Sequence, residues 1–195
     1  MINYIGDLSR ADAELLRVFA EKADRILEFG VGASTQIFAA YARCGPVHSV
    51  ETDPTWIEKT QRNLIRLDEA QPGAIKPVLF YLYESYRLSW GFDLIFIDGV
   101  DELRQDFALL TWAALEPGGA MLFHDTRRSI PHGDSPTTDL QNALAVVDRF
   151  ALEVDRVLLN HADSNITIVR KRLVPLVLED WNEVEGRALE QIGLA

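Results

Sequence analysis

A glycine-containing turn between two apolar runs constrains this chain more than any other sequence feature. The run 26–29, Ile-Leu-Glu-Phe, leads into Gly-Val-Gly at 30–32 and then into Ala-Ser-Thr at 33–35, which open a helical pattern. A second apolar run at 47–50 ends in Glu51. This order predicts a strand, a tight turn, a helix and a second strand of a parallel α/β sheet, whose strand ends face one crevice.

The same turn indicates what kind of ligand the crevice holds. Glycines at 30 and 32 let the backbone approach a ligand closely, and the Glu51 carboxylate can accept hydrogen bonds from two ribose hydroxyls. These features predict an adenosine-type cofactor. A pyrophosphate fingerprint needs a third glycine where this chain has Thr35, and Glu28 would add negative charge beside phosphates. An acid at Glu28 suits a ligand with an ammonium group, such as S-adenosylmethionine, although Glu51 alone also suits NAD.

Four segments in register resemble the motifs of the class I S-adenosylmethionine-dependent methyltransferases. They are residues 28–34, 50–53, 92–99 and 115–126, and the similarity spans about residues 24–126. The resemblance implies a doubly wound, Rossmann-like α/β fold with a mostly parallel seven-stranded sheet and an antiparallel C-terminal hairpin. It also implies methyl transfer from S-adenosylmethionine to a small-molecule acceptor, with a hydroxyl oxygen as the expected nucleophile.

The resemblance assigns the cofactor-binding residues. Gly30 and Gly32, with Ser34 after them, are expected at the methionine part, Glu28 at its ammonium group and Glu51 at the ribose. The adenine contacts are expected from Thr52 and from the loop 84–86, which contains Ser85. Tyr86 or Trp90 would stack on the base, and Asp98 completes the set of cofactor-binding candidates.

On the acceptor side, the chain resembles small-molecule O-methyltransferases that hold a divalent cation near the sulfonium. Asp98 matches the acid at the end of strand four, and Asp125 matches the first member of the pair at the end of strand five. Thr126 stands where Asn or Asp is usual, and a hydroxyl is a weaker ligand. Oxygen ligands suit Mg²⁺, which would acidify and orient an acceptor hydroxyl. Without a metal, Asp98 would instead close the cofactor pocket.

Two residues are candidates for the catalytic base. The segment His124-Asp125-Thr126 matches a subgroup with a His-Asp-Thr strand end, while Val100-Asp101 replaces the Asp-His of its other signature. The resemblance places Asp101 at the position where such enzymes often carry a catalytic base. Alternatively, Asp101 caps the following helix. His124 suits proton transfer near neutrality, or only bonds a neighbour.

The alternation of apolar and polar residues predicts the elements along the chain. Helices are predicted at residues 10–22, 34–42, 54–67, 102–115, 139–150 and 178–192. Strands are predicted at 25–29, 47–51, 76–83, 92–97, 120–124, 153–159 and 165–170, the last two as the hairpin. We expect one domain over 1–195, with an N-terminal helical segment (1–23), a cofactor-binding core (24–126) and an acceptor region (127–195).

Composition limits the partners. The formal net charge of −11 disfavours nucleic acid as a substrate. There is no apolar run long enough to cross a bilayer and no signal-peptide pattern at the start, which argues against a membrane partner. Cys44 is the single cysteine, so a cytoplasmic location is expected. The terminal helices are candidate surfaces for a homodimer.

Two other functions fit the same motifs. One is a nicotinamide-dependent oxidoreductase of this fold, against which Thr35 and Glu28 argue. The other is a protein that binds the cofactor without catalysis, as a regulator or partner subunit. The departures at Val100, Asp101 and Thr126 keep that second alternative open.

Overall fold

The structure is a computed structural model that describes residues 6, 8–126, 138–159 and 164–174. These residues form a seven-stranded sheet in the order β3-β2-β1-β4-β5-β7-β6. The strands are β1 Ile26–Phe29, β2 Val47–Glu51, β3 Val78–Leu82, β4 Phe92–Ile97, β5 Leu115–Phe123, β6 Val154–Leu158 and β7 Thr167–Lys171. The helices are α1 Arg10–Ala20, α2 Ala33–Tyr41, α3 Pro54–Ala70, α4 Asp101–Thr111 and α5 Thr138–Arg149.

The sheet is parallel from β3 to β5 and antiparallel at its far edge. β1 pairs in parallel with both β2 and β4, while β7 runs antiparallel to β5 and β6. This confirms the predicted fold class and the C-terminal hairpin. The chain leaves β1 in one direction along the sheet and returns later to add β4 on the other side. The loops after β1 and β4 therefore separate at this switch point and leave a crevice at the carboxyl ends of the strands.

Two apolar layers hold helices against the sheet. α1 and α2 pack on one face through buried side chains that include Leu16 and Phe38. α4 packs on the other face, where Phe29 and Phe107 stack with ring centroids 4.5 Å apart. Because β1 and β4 are covered on both faces, their sequences are nearly continuous apolar runs.

Helix caps confirm two of the predicted boundaries. Ser9 caps α1, and its hydroxyl oxygen accepts a hydrogen bond from the Asp12 backbone N–H at 3.0 Å. Asp53 caps α3, and Pro54 occupies the first helical position. Proline is favoured there because its missing N–H would have no partner inside the helix.

The region between β4 and β5 differs from the prediction. The helix predicted at 102–115 ends at Thr111, and a short 3₁₀ helix, Trp112–Ala114, follows it. β5 begins at Leu115, five residues earlier than predicted, and includes the segment Pro117-Gly118-Gly119, whose composition is typical of a turn. The ladder between β4 and β5 shifts its register there. Proline has no N–H to donate, so the strand continues through a bulge rather than a regular ladder.

Some predictions lie outside the described residues. They concern the loop from 127 and the helix at 178–192. Within the residues described, no helix has the length and apolar character needed to cross a membrane.

Candidate active site

A cavity of about 390 Å³ opens at the carboxyl ends of the parallel strands. It lies at the switch point between β1 and β4, the position expected for a ligand site in this type of sheet. Its walls include the glycine turn after β1, the end of β2, the loop after β4 and Asp125 after β5. The lining residues predicted from the sequence are Gly30, Gly32, Ser34, Glu51, Thr52, Asp98 and Asp125.

Gly30 makes the close packing of the turn possible. Its φ of +98° is unfavourable for other residues. A Cβ at this position would lie 2.3 Å from the backbone oxygen of Asp98. The turn after β1 and the end of β4 therefore touch through backbone atoms, which forms the floor of the cavity.

Glu51 ties the end of β2 to the glycine turn. Its Oε2 accepts a hydrogen bond from the Val31 N–H at 2.9 Å. Its Oε1 accepts hydrogen bonds from the N–H groups of Thr52 and Asp53, at 2.6 and 3.0 Å. The carboxylate is thus held rigidly at the cavity wall. A carboxylate oxygen can accept more than one hydrogen bond, so Oε2 keeps capacity for a ligand hydroxyl.

Glu28 does not line the cavity and reaches it through Ser34, so its predicted contact with an ammonium group, directly or through water, stays a prediction. Its side chain is fully buried, with hydrogen bonds from Ser34 Oγ to Oε2 at 2.9 Å and from Ser49 Oγ to Oε1 at 2.6 Å. Burial raises the pKa of Glu28 to about 7, although these hydroxyls and that of Thr35 oppose the rise. Glu28 therefore positions Ser34, which does line the cavity.

Glu28 should make the stability of the protein depend on pH. A carboxyl group whose pKa rises from 4.5 to about 7 on folding stabilises the protein below pH 4.5, and this stabilisation is lost as the pH rises through 7. Between about pH 4.5 and pH 8, we expect the free energy of unfolding of Glu28→Gln to rise by about 3 kcal/mol relative to that of the wild type. Urea unfolding at both pH values measures this, with Glu69→Gln on the exposed face of α3 as a control. A difference between Glu28→Gln and wild type that does not change with pH would contradict it.

The predicted adenine contacts are only partly brought together. Thr52 lines the cavity, whereas Ser85 does not, and its hydroxyl donates to the Leu82 carbonyl oxygen at 2.9 Å. Tyr86 and Trp90 are also absent from the cavity wall. The aromatic ring that lines it is Trp56, in the first turn of α3. The sequence signal for Trp56 is its position soon after Glu51, in a helix that starts at the crevice.

His124 is surrounded by carboxylates. Its Nδ1 lies 3.0 Å from Asp98 Oδ1 and 3.6 Å from Asp125 Oδ1, and its Nε2 lies 3.6 Å from Asp12 Oδ2. Burial opposes protonation of the ring, but the contacts with Asp12 and Asp98 outweigh it and raise the pKa of His124 to about 10. The raised pKa favours the imidazolium form at neutral pH, so the geometry favours the alternative in which His124 bonds its neighbours. His124 does not line the cavity.

Asp12 connects this cluster to two distant parts of the chain. It belongs to the capping box of α1, and its Oδ1 accepts a hydrogen bond from the Asn165 N–H at 2.6 Å. Burial raises the pKa of Asp12, but the contacts with His124 and Ser9 outweigh this effect and lower it to about 2. Asp12 could not be predicted as a site residue, because nothing in the sequence indicates that α1 reaches the end of β5.

Arg104 forms the second cation of the site, and it was not among the residues predicted from the sequence. Its side chain is 7% exposed, and its Nη2 lies 3.4 Å from Asp98 Oδ1 and 3.2 Å from Asp101 Oδ1. Nη1 lies 3.8 Å from Asp125 Oδ2, and Nε donates to the Gly99 carbonyl oxygen at 2.6 Å. The sequence signal is an Arg three residues after Asp101, on the first turns of a helix that begins at the crevice.

Asp101 has a different place from the one predicted. It is the first residue of α4, while Val100 occupies the N-cap position, so Asp101 does not cap the helix. Its side chain is 61% exposed and is paired with Arg104. Asp101 is also absent from the cavity wall, which places it poorly for the role of catalytic base.

The arrangement of strands and helices is shared with solved structures. An O-methyltransferase from Bacillus cereus in complex with S-adenosylhomocysteine (SAH) aligns over 85% of this chain and 83% of its own, at 20% identity and a TM-score of 0.63. TomG from Streptomyces achromogenes, involved in tomaymycin synthesis and in complex with S-adenosylmethionine (SAM), aligns over 85% and 82%, at 18% identity and a TM-score of 0.61. A methyltransferase-like protein from Silicibacter pomeroyi aligns over 94% and 96%, at 18% identity and a TM-score of 0.57. The chain has the class I methyltransferase fold.

The sequence itself is far from characterised proteins. No family model matches it, and no curated protein matches it either. At identities near 20%, the similarity to methyltransferases shows the fold alone. The role of each residue in this methyltransferase fold must therefore be argued from its own geometry.

The predicted metal site does not fit a divalent cation in this arrangement. One ligand atom from each of Asp98, His124 and Asp125 lies within 4.8 Å of the others. However, His124 Nδ1 lies only 3.0 Å from Asp98 Oδ1, so these two atoms already face each other. Thr126 Oγ1 accepts a hydrogen bond from Thr167 Oγ1 at 2.9 Å, and Thr126 does not line the cavity. A Mg²⁺ ion shared by the two carboxylates would also have to displace the Arg104 guanidinium.

Proposed function

We propose that this chain is a SAM-dependent methyltransferase that methylates a hydroxyl oxygen of a small molecule. The observation that carries the proposal is the joining of Glu51 to the glycine turn at the switch point of the sheet. This places a rigid carboxylate and a close backbone approach on one cavity wall. A cofactor with a ribose fits this wall, and solved proteins of this fold bind SAM or SAH.

The charges of the cavity favour SAM over a dinucleotide. The lining contains the carboxylates of Glu51, Asp53, Asp98 and Asp125, while Arg104 is the one Lys or Arg among the described residues that line it. Such a wall attracts the sulfonium and ammonium groups of SAM and repels a pyrophosphate. The SAM carboxylate would lie near the N-terminus of α2, where helix N–H groups favour an anion. A nicotinamide cofactor is therefore the weaker candidate.

Asp98 is the residue that we propose as the proton acceptor. It lines the cavity, its side chain is 23% exposed, and burial raises its pKa even though His124 and Arg104 oppose the rise. In the proposed reaction, the acceptor hydroxyl gives its proton to Asp98 and its oxygen forms a bond to the methyl carbon. The carbon–sulfur bond breaks with its electron pair going to sulfur, which yields neutral SAH. Positioning of the two reactants supplies much of the rate.

Removal of the Glu51 charge should weaken cofactor binding specifically. We expect Glu51→Gln to raise the Kd for SAM by roughly 10- to 100-fold, because a charged acceptor for ribose hydroxyls is lost. Glu58→Gln, an exposed neighbour on α3, should leave the Kd unchanged. Titration calorimetry with SAM, SAH and NAD on the wild type and both variants tests this.

The calorimetry also separates the competing functions. Binding of SAM by the wild type, weakened only in Glu51→Gln, would support the proposal. Binding of NAD in place of SAM, or of neither ligand, would contradict it. Equal loss of SAM binding in both variants would show that Glu51 has no particular role.

A further inference from the structure

We propose that the guanidinium of Arg104 is the resident cation of this site and takes the position that a divalent metal would need between Asp98 and Asp125. The proposal rests on the proposed methyl transfer for its chemistry, but its geometry concerns only residues of this chain. The inferred enzyme binds its acceptor without a metal ion and uses Arg104 to hold the acceptor oxygen.

Arg104 is fixed from several directions. Nε donates to the Gly99 carbonyl oxygen at 2.6 Å, which anchors the side chain to the loop after β4. Nη2 lies between Asp98 and Asp101, at 3.4 and 3.2 Å from their Oδ1 atoms. The side chain is buried, yet the residue lines the cavity. A planar guanidinium held in this way is a preorganised charge, unlike a lysine on a flexible stem.

The guanidinium also lies close to the carboxylates of both Asp98 and Asp125. Nη1 is 3.8 Å from Asp125 Oδ2, so Arg104 spans from the end of β4 to the end of β5. Asp125 has a φ of 60°, a conformation that few non-glycine residues adopt, and it lines the cavity. Asn165 Nδ2 donates to Asp125 Oδ1 at 3.1 Å. Asp98 and Asp125 thus already share a cation, Arg104, that the protein itself supplies.

The chemical role follows from this position. During methyl transfer the acceptor oxygen gives its proton to Asp98, and negative charge develops on that oxygen. A fixed cation beside Asp98 stabilises this charge without having to reorganise. Arg104 would therefore perform the orienting and charge-stabilising work of a metal, while Asp98 takes the proton. No other reactant is needed, since SAM supplies the methyl group and the acceptor supplies the electron pair.

Binding of Mn²⁺ is the direct test, because Mn²⁺ occupies the same oxygen sites as Mg²⁺. The loss of the free-ion signal in electron paramagnetic resonance reports its binding without any acceptor or turnover. We expect the wild type and Arg104→Lys to leave Mn²⁺ free, because both keep a cation between the carboxylates. We expect Arg104→Met to bind Mn²⁺ roughly tenfold or more tightly than the wild type. Adding Asp98→Asn to Arg104→Met should remove this gain.

Controls decide between the outcomes. Arg62→Met, on the exposed face of α3, should behave as the wild type. Binding of Mn²⁺ by the wild type that Asp98→Asn abolishes would overturn the proposal, whether or not Arg104→Met folds. Failure of Arg104→Met to gain Mn²⁺ binding while its circular dichroism spectrum is native would also overturn it. SAM calorimetry on the same samples tests the proposed function separately. A wild type that binds neither SAM nor Mn²⁺ would contradict methyl transfer and the catalytic role of Arg104, but not its place as the cation between Asp98 and Asp125.

Discussion

Replacing Gly30 by alanine is expected to lower the free energy of unfolding by about 2–5 kcal/mol and to abolish SAM binding. Two costs combine at this position. The φ of +98° disfavours any side chain, and the new Cβ would lie 2.3 Å from Asp98 O and 2.9 Å from Gly99 N. Both contacts are with backbone, so the end of β4 must move. Urea unfolding and calorimetry with SAM measure the two effects.

Gly73 offers a matched control for this substitution. Its φ of +77° is similarly unfavourable, but an added Cβ would meet no atom within 4 Å. Gly73→Ala should therefore cost about 1–2 kcal/mol from the backbone alone and leave SAM binding unchanged. Equal losses of stability in the two variants would show that the contact between the glycine turn and β4 is unimportant.

Replacing His124 by glutamine is expected to lower the free energy of unfolding by about 3–5 kcal/mol near pH 6. Removal of the imidazolium leaves the buried Asp12 and the partly buried Asp98 without their shared partner. Because folding raises the pKa of His124 to about 10, its stabilisation is complete below the unfolded value of 6.5 and is lost as the pH rises through 10. Unfolding of the wild type and His124→Gln across this range should therefore show a difference that shrinks toward high pH.

His48 provides a control, because its pKa is shifted in the direction opposite to that of His124. Burial, followed by the charge of Arg25, lowers its pKa, and its ring stacks against Tyr81 at 5.8 Å between centroids. A lowered pKa means that His48 favours folding above 6.5 and that this contribution is lost as the pH falls. His48→Gln should thus cost about 1 kcal/mol, and its cost should not shrink at high pH. A His124→Gln effect that grows toward pH 10 would exclude an imidazolium in the cluster.

Local patterns were sufficient to predict most of the framework. The strands around the glycine turn, the helix starts at residues 10 and 54 and the two strands of the hairpin follow from residue types within a few positions of one another. The conformation of residues 117–119 could not be predicted in this way. Whether Pro-Gly-Gly turns the chain or forms a bulge in β5 depends on the neighbouring β4, which the local sequence does not contain.

The candidate site, too, could be predicted from the sequence only in part. The order of glycines and acids at strand ends determined the fold, the place of the crevice and the candidates Glu51 and Asp98, because parallel strands bring their carboxyl ends together. Only the tertiary structure decided that Glu28 is fully buried behind Ser34, that carboxylates surround His124 and that Arg104 lies between Asp98 and Asp125. Those outcomes depend on distances and burial among residues far apart in the chain, such as Asp12 and His124, and packing alone sets these.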